Sequence, residues 1–168
     1  MWYYKSAMLL FFAMQINGCG FEPLYGGRNT GNTFSIFSKI DILPIENRTG
    51  QLMRNELERL LHSLKKNDSY SFKLTTQLFE RETSLGVKKS AIATRGSLNM
   101  TAVYNLSDLD GKTLIKNSKK QISVNYNIFN STFATLSAQE NARGRAVKAL
   151  AQEIRNHLGV VLRQKVAD

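Results

Sequence analysis

The spacing of hydrophobic residues predicts a strand and then a helix in the first part of the chain. Apolar side chains alternate imperfectly from Phe34 to Ile45, with Ile40 and Ile42 on one face. Pro44 closes this segment, which we predict to be a strand. Behind capping candidates at 47–50, apolar residues recur at steps of three and four, as on the buried side of a helix. This stripe consists of Met53, Leu57, Leu60, Leu61 and Leu64.

Three further alternating runs predict strands with one face in water. They cover Tyr70 to Leu78, Leu98 to Leu106, and Thr113 to Phe129. The Asp110-Gly111 step between the last two is a strong hairpin signal. An alanine-rich segment from Ser131 to about Leu162 then predicts a long helix. Its expected buried side consists of Ala138, Ala142, Ala146, Ala149, Leu150, Ile154 and Leu158.

This order of elements predicts an α+β fold. Each strand has one apolar face and each helix has one apolar stripe. The order β-α-β-β-β-α is therefore satisfied most simply by two helices packed on one face of a four-stranded, mostly antiparallel sheet. The hairpin signals do not fix the position of the first strand within the sheet, because the helix between it and the second strand permits a crossover connection.

The N-terminal segment predicts a lipoprotein signal. Lys5 supplies its positive charge, and the apolar run at 7–16 has the length of a secretory signal but is too short to span a bilayer. Gly18 precedes Cys19, the only cysteine, whose thiol could accept a diacylglyceryl group and anchor the protein to a membrane. We predict a signal peptide at 1–18, a lipidated tether at 19–33 and a single domain at 34–168. A plain cleaved signal, or a short membrane anchor with Cys19 as a bystander, stays open at this point.

The chain is strongly basic, which bears on its partners. It has 23 Lys and Arg against 13 Asp and Glu, a formal net charge of +10. In the cytoplasm this charge would suggest nucleic acid. Behind an export signal, the abundant anions are the phosphates and carboxylates of lipopolysaccharide and phospholipid headgroups. We therefore expect an anionic envelope partner and no nucleic acid, with solubility alone as the alternative explanation.

The residues offer little for catalysis. His62 and His157 are the only histidines, and neither has a metal-ligating residue four positions further on. A single cysteine excludes a CxxC redox pair and a cysteine-based zinc site. The sequence has no metalloprotease, nucleophile-elbow, P-loop or dinucleotide-binding motif. We predict no enzymatic activity, no catalytic residues, no metal and no cofactor.

Two clusters of cations are the candidate binding residues. The first, in the predicted connection between the second and third strands, comprises Lys88, Lys89 and Arg95. The second, in the next connection, comprises Lys112, Lys116, Lys119 and Lys120. Several flexible cations at the ends of a sheet could hold a multiply phosphorylated headgroup. The alternative is that these side chains are simply solvated in turns.

The predicted start of the mature chain, Cys19-Gly20-Phe21-Glu22-Pro23-Leu24-Tyr25-Gly26, resembles that of the LptE family of lipopolysaccharide-assembly lipoproteins in its alphaproteobacterial form. Further similarity lies at 45–51 leading into 52–57, at Tyr104-Asn105-Leu106, and at Tyr126-Asn127 leading into the alanine-rich final helix.

This resemblance implies a lipoprotein of the outer membrane, held on its periplasmic side through lipid on Cys19. It implies that the domain sits inside the large barrel protein LptD, aids its assembly and handles lipopolysaccharide on its way to the outer leaflet. It also implies that basic residues near strand ends contact lipopolysaccharide. The resemblance does not assign this contact to particular cations among those named above. Two other classes stay open: a lipoprotein accessory of a different outer-membrane machine, and an enzyme or soluble ligand carrier.

Overall fold

The described part of the chain, residues 36–62, 70–87 and 93–167 of a computed structural model, forms one four-stranded sheet with two helices. The strands are β1 (Ile40–Ile42), β2 (Phe72–Val87), β3 (Ala93–Asp108) and β4 (Thr113–Asn127), and the helices are α1 (Asn47–Leu61) and α2 (Thr132–Ala167). The predicted α+β class, the element order and the mostly antiparallel sheet are confirmed.

The sheet has the strand order β1-β2-β3-β4. β1 pairs in parallel with β2, whereas β2 with β3 and β3 with β4 are antiparallel pairs. A parallel pair cannot be closed by a tight turn, so α1 makes the crossover from β1 to β2. This answers the question that the sequence left open about the first strand.

The first strand is much shorter than the predicted segment from Phe34 to Ile45. Only Ile40–Ile42 is strand, and Ile36 and Phe37 lie in a helical turn, from which the Ile36 carbonyl accepts a bond of 3.0 Å from the amide of Lys39. The prediction was right about the face, since both isoleucines of β1 are buried. Phe34 lies outside the described residues.

β2 and β3 are longer than predicted, at 16 residues each, which is a length of roughly 50 Å. The segment 85–87, which the sequence places in the connection between the second and third strands, belongs to β2. Apolar alternation stops at Leu78 because the next residues on that face are Glu80 and Glu82, which pair with α2 instead of entering the core. The backbone hydrogen bonds between β2 and β3 continue beyond the residue at which the hydrophobic pattern ends. α2, with 36 residues, matches the strands at roughly 54 Å.

A bulge in β4 changes which residues face the helices. Asn117 has a positive φ of 48°, and its amide donates to a β3 side-chain oxygen at 2.6 Å. Ile115 pairs with Leu106, whereas Ser118 pairs with Tyr104, so β4 has one extra residue between the two pairs. The helix-facing positions of β4 are therefore even-numbered beyond the bulge.

The core lies between the helices and the sheet, and its composition corrects the prediction for three residues. Leu57, Leu150 and Ile154 are fully buried, as expected. Leu60 is only half-buried, because it lies about 60° around the helix from Leu57. Ala149 is exposed, since its neighbour at 150 takes the inward direction. Ala138 is also only half-buried.

The start of α1 also differs from the prediction. The N-cap position is Glu46, ahead of the candidates at 47–50, and its side chain makes no capping hydrogen bond. Gly50 is buried against the preceding loop. A Cβ at this position would lie 2.7 Å from the carbonyl oxygen of Ile45, so the close approach requires glycine.

Both histidines have structural partners. His62 is the C-cap residue of α1, and its Nε2 lies 2.9 Å from the carbonyl oxygen of Ile40. His157 on α2 bonds through Nδ1 to the hydroxyl of the fully buried Tyr104, at 2.7 Å. Burial lowers the pKa of His157, and the positive charge of Lys120 lowers it further.

We expect the stability of the domain to fall as the pH drops below about 6.5, in part because of His157. Its folded-state pKa lies below the ordinary value of 6.5, so between the two values the unfolded chain binds more protons than the folded chain. An NMR titration of His157 should therefore give a midpoint below 6.5. His157→Gln should lose this part of the pH dependence, and a wild-type midpoint at or above 6.5 would contradict the argument.

Candidate functional site

The side of the sheet that faces away from the helices, called the open face below, is polar. Odd-numbered residues of β2 and β3 point to it, because even-numbered neighbours such as Leu74 and Leu98 are buried under the helices. Beyond the bulge, the same holds for β4. The hydroxyl and amide side chains on this face are Thr75, Gln77, Thr83, Ser97, Asn99, Thr101, Asn105, Gln121, Ser123 and Asn125. Such a face suits a polar environment and does not suit a hydrocarbon one.

The open face also has an excess of positive charge. Lys73, Arg81, Arg95 and Lys119 point to it, all of them are exposed, and none has an ion-pair partner among the described residues. The acids of β2 and β3 are on the other face of the sheet, where they pair with α2. On β2 and β3, the acids that pair with α2 therefore lie on the helix side, whereas the exposed cations lie on the open face.

Arg143 is the centre of the ion-pair network on the helix side. Its guanidinium lies 3.0 Å from Glu80, 3.5 Å from Glu82 and 2.7 Å from Glu140. The hydrogen bond to Glu80 is the main reason that the pKa of Arg143 is raised. Because this network joins the far part of β2 to the first half of α2, it gives the extended end of the sheet a fixed place against the helix.

The far end of the sheet contains a pocket of about 510 Å³, called the distal pocket below. It is lined by Arg95, Asn125, Tyr126, Asn127, Phe129, Ala138, Asn141 and Arg145. Arg145 is held in place by a bond of 3.1 Å from Nη2 to the carbonyl oxygen of Asn125. The ring of Tyr126 lies over Gly96, where an added Cβ would come within 2.3 Å of it.

Exposed apolar side chains stand beside the distal pocket. Phe129 is 49% exposed, and Phe133 and Leu136 on the first turns of α2 are 82% and 54% exposed. The side-chain hydroxyl of Thr135 on α2 links the helix to the segment after β4, because it accepts a hydrogen bond of 2.9 Å from the amide of Phe129. Two arginines beside an exposed apolar strip form a surface that can hold an anionic group and an acyl chain at the same time.

The structure redistributes the cations that the sequence had grouped in two connections. Arg95 lies within β3 and not in a connection, whereas Lys88 and Lys89 lie outside the described residues. Lys112 is in the β3–β4 connection, as predicted.

The other three lysines of the second cluster lie within β4 and are separated by it. Lys119 points to the open face, whereas Lys120 points to α2 and lies 3.9 Å from Glu153. Lys116 is exposed next to the bulge. These corrections have one cause: composition alone does not distinguish a cation within a strand from a cation in a turn.

Sequence reasoning missed Arg145 and Phe129 as site residues. Arg145 lies 50 positions from Arg95, and only the packing of α2 along β4 brings both to one pocket. The sequence did contain a weak signal of an exposed apolar surface. Phe133 and Leu136 lie at the start of the last helix, before the first residue of its predicted buried side.

The described residues contain no group of three or more His, Cys, Asp or Glu side chains placed to hold a metal ion. Neither helix of the described chain has the length and apolar character needed to cross a membrane.

Comparison with known proteins identifies the family. The family model of LptE, described as lipopolysaccharide-assembly, matches residues 37–158. The chain belongs to the LptE family. It is therefore a lipoprotein of the bacterial envelope with a role in lipopolysaccharide assembly, from a family of assembly factors and not of enzymes. No curated protein sequence matches the chain.

Solved structures with the same fold support this assignment of architecture. A Caulobacter crescentus CB15 protein superposes with a TM-score of 0.65 at 24% identity, covering 79% of this chain and 97% of its own. A minor lipoprotein from Acinetobacter baumannii gives 0.58 at 19% identity, covering 73% and 92%. Rare lipoprotein B from Shewanella oneidensis gives 0.56 at 12% identity, covering 74% and 98%. At these identities the likeness concerns the fold alone.

Proposed function

We propose that this protein is anchored by lipid on Cys19 to the periplasmic side of the outer membrane, where it plugs the LptD barrel and handles lipopolysaccharide. The family match carries this proposal. The interior of a large outer-membrane barrel is polar, and a sheet face made of hydroxyl, amide and cationic side chains is compatible with that environment. A lipoprotein accessory of another outer-membrane machine is the alternative, and co-purification with a barrel other than LptD would select it.

We place lipopolysaccharide contact at the distal pocket. The described chain enters the domain at residue 36, beside the start of β1, and the pocket lies at the opposite end of strands roughly 50 Å long. Arg95 and Arg145 thus lie at the end of the sheet away from the point where the described chain enters it. Lys88 and Lys89 follow β2 directly along the chain and are proposed as additional cations of this end.

Removal of both arginines is expected to weaken lipopolysaccharide binding. Two exposed charge contacts of about 0.5–1 kcal/mol each correspond to about a five- to thirty-fold loss of affinity for Arg95→Ala/Arg145→Ala. The difference from the wild type should shrink with added salt, because such contacts are screened over roughly 8 Å at physiological ionic strength. Titration of purified mature protein with lipopolysaccharide at low and high salt measures both effects.

The matched control is Lys73→Ala/Lys148→Ala, which removes the same charge from exposed positions outside the pocket lining. Both double variants should still co-purify with LptD, since barrel contact involves a wider surface. Equal lipopolysaccharide affinity of the two double variants would remove the distal pocket from the proposal. Failure of the wild type to co-purify with LptD would overturn the proposed partnership itself.

A further inference from the structure

The outer edge of β2 is left without a partner strand over most of its length. β1 pairs only with residues 72–74 of this 16-residue strand. The last contact is a bond of 3.0 Å from the amide of Leu43 to the carbonyl oxygen of Leu74. Pro44, which has no amide hydrogen, then follows, and the chain proceeds to α1. From Thr75 onward, no described strand lies beside this edge.

The direction of the backbone groups on this edge follows from the bonds to β1. The amide of Phe72 donates to Lys39 at 3.1 Å and the carbonyl of Leu74 accepts from Leu43, so both groups point outward from β2. Groups of alternate residues in a strand point the same way. The N–H and C=O of Thr76 and Leu78 therefore also point outward, and no described residue forms a hydrogen bond with them.

A cleft of about 380 Å³ lies against this part of the edge. It is lined by residues 44–47 of the loop before α1 and by residues 75–79 of β2. Thr76, a residue only 5% exposed, is one of the lining residues, and its buried hydroxyl has no hydrogen-bond partner in the described structure. Unpaired buried polar groups are unusual and costly, so the cleft has both a strand edge and a buried hydroxyl that lack partners.

The free edge of β4 is different, because it is protected against pairing. Lys116, Lys119 and Lys120 lie along it, and Asn117 forms its bulge. Arg145 already occupies the outward carbonyl of Asn125. Charges and bulges of this kind are the usual means by which edge strands avoid other chains. By contrast, residues 75–79 of β2 carry no charge and end in Phe79, which is 56% exposed on the open face.

We propose that the edge of β2 at Thr75–Phe79 receives an extended segment of the barrel partner as an added strand in the cleft. This inference rests on the proposed partnership with LptD. Outward N–H and C=O groups at a spacing of two residues are satisfied by another extended backbone. Side chains of the incoming strand would lie alternately against Leu78 on the helix side and Phe79 on the open face. The free cation of Arg81, further along the open face, favours an acidic residue at that end of the segment.

The test is residue-resolved amide hydrogen exchange on the mature chain, alone and in the co-purified complex with LptD. Added-strand pairing protects alternate amides, so exchange of Thr76 and Leu78 should slow at least tenfold in the complex. The amides of Gln77 and Phe79 already bond to β3 and should change much less. Uniform protection of all four amides, or unchanged exchange of Thr76 and Leu78 in an intact complex, would overturn the proposal.

Substitutions on the two sheet edges test the proposal independently of hydrogen exchange. Leu78→Pro removes one outward donor and should lower the recovery of LptD about fivefold relative to Leu78→Ala, which shortens the same side chain but keeps the amide. Ser123→Pro is the matched control, because it removes an outward donor from the β4 edge and should leave recovery unchanged. Thermal unfolding of each variant shows that it is folded, and an equal loss for both proline variants would contradict the assignment to β2.

The remaining outcomes separate this proposal from its alternatives. Slow exchange of Thr76 and Leu78 in the isolated chain, rising with protein concentration, would mean that a second copy fills the edge. Slow exchange at every concentration would mean that the chain covers its own edge. Either result overturns the proposal, whereas loss of the LptD complex in the wild type tests the proposed function and is seen directly as failed co-purification.

Discussion

Leu57→Ala should destabilise the domain by about 2–5 kcal/mol. The side chain of Leu57 is fully buried between α1 and the sheet, so its truncation removes apolar contacts and leaves a cavity that the neighbouring residues fill only in part. Urea unfolding of the mature chain, followed by far-UV circular dichroism, measures the loss. Since the α1 crossover joins β1 to β2, we also expect the change to weaken the attachment of β1.

Leu60→Ala is the matched control for that experiment. It is the same substitution on the same helix, but Leu60 is half-buried and its truncation should cost only about 1 kcal/mol. A loss at Leu60 equal to or larger than that at Leu57 would show that the burial of α1 differs from the one described.

Replacing Cys19 with Ser should release the protein from the membrane or leave its precursor uncleaved, while the domain stays folded. The hydroxyl of serine cannot form the thioether that would hold the diacylglyceryl group, and a lipoprotein with two or three acyl chains is otherwise held essentially permanently. No core residue of the described domain is altered by the change. Membrane fractionation and mass spectrometry of the N-terminal peptide give the result.

The control for this experiment is Asn17→Ala, which changes the segment before the proposed cleavage point but keeps the thiol. It should be lipidated and retained in the membrane like the wild type. An unmodified Cys19 in the mature wild-type protein, or cleavage at another bond, would show that the lipoprotein signal was misread.

Periodicity assigned most core residues to the correct face of the strands and helices, with Leu60, Ala138 and Ala149 as exceptions. Leu74 and Leu98 on the strands, and Leu57 and Leu150 on the helices, were assigned to the buried side from their spacing alone, and all four are buried. The Asp110-Gly111 turn was predicted equally well, because Gly111 takes a positive φ of 83° that other residues rarely adopt.

Periodicity failed where polar partners replace the core. The outer part of β2 has no apolar pattern, because Glu80 and Glu82 face α2 through Arg143. No local rule could show that acids on a strand would meet an arginine more than 60 positions away. The end of β2 was therefore placed too early, and the start of β3, which pairs with it, too late.

The candidate sites divide in the same way. The proposed anchor at Cys19, the basic charge and the family resemblance were inferred from the order of residues without a structure, and the family is confirmed over residues 37–158. The meeting of Arg95 with Arg145, the opposite directions of Lys119 and Lys120, and the unpaired edge of β2 depend on contacts between distant segments.

A sequence determines the local pattern of burial through the period of its side chains. Only tertiary packing decides which charges find partners, which strand edge stays open and which side chains meet at one end of the sheet, because these depend on register, crossover and bulge.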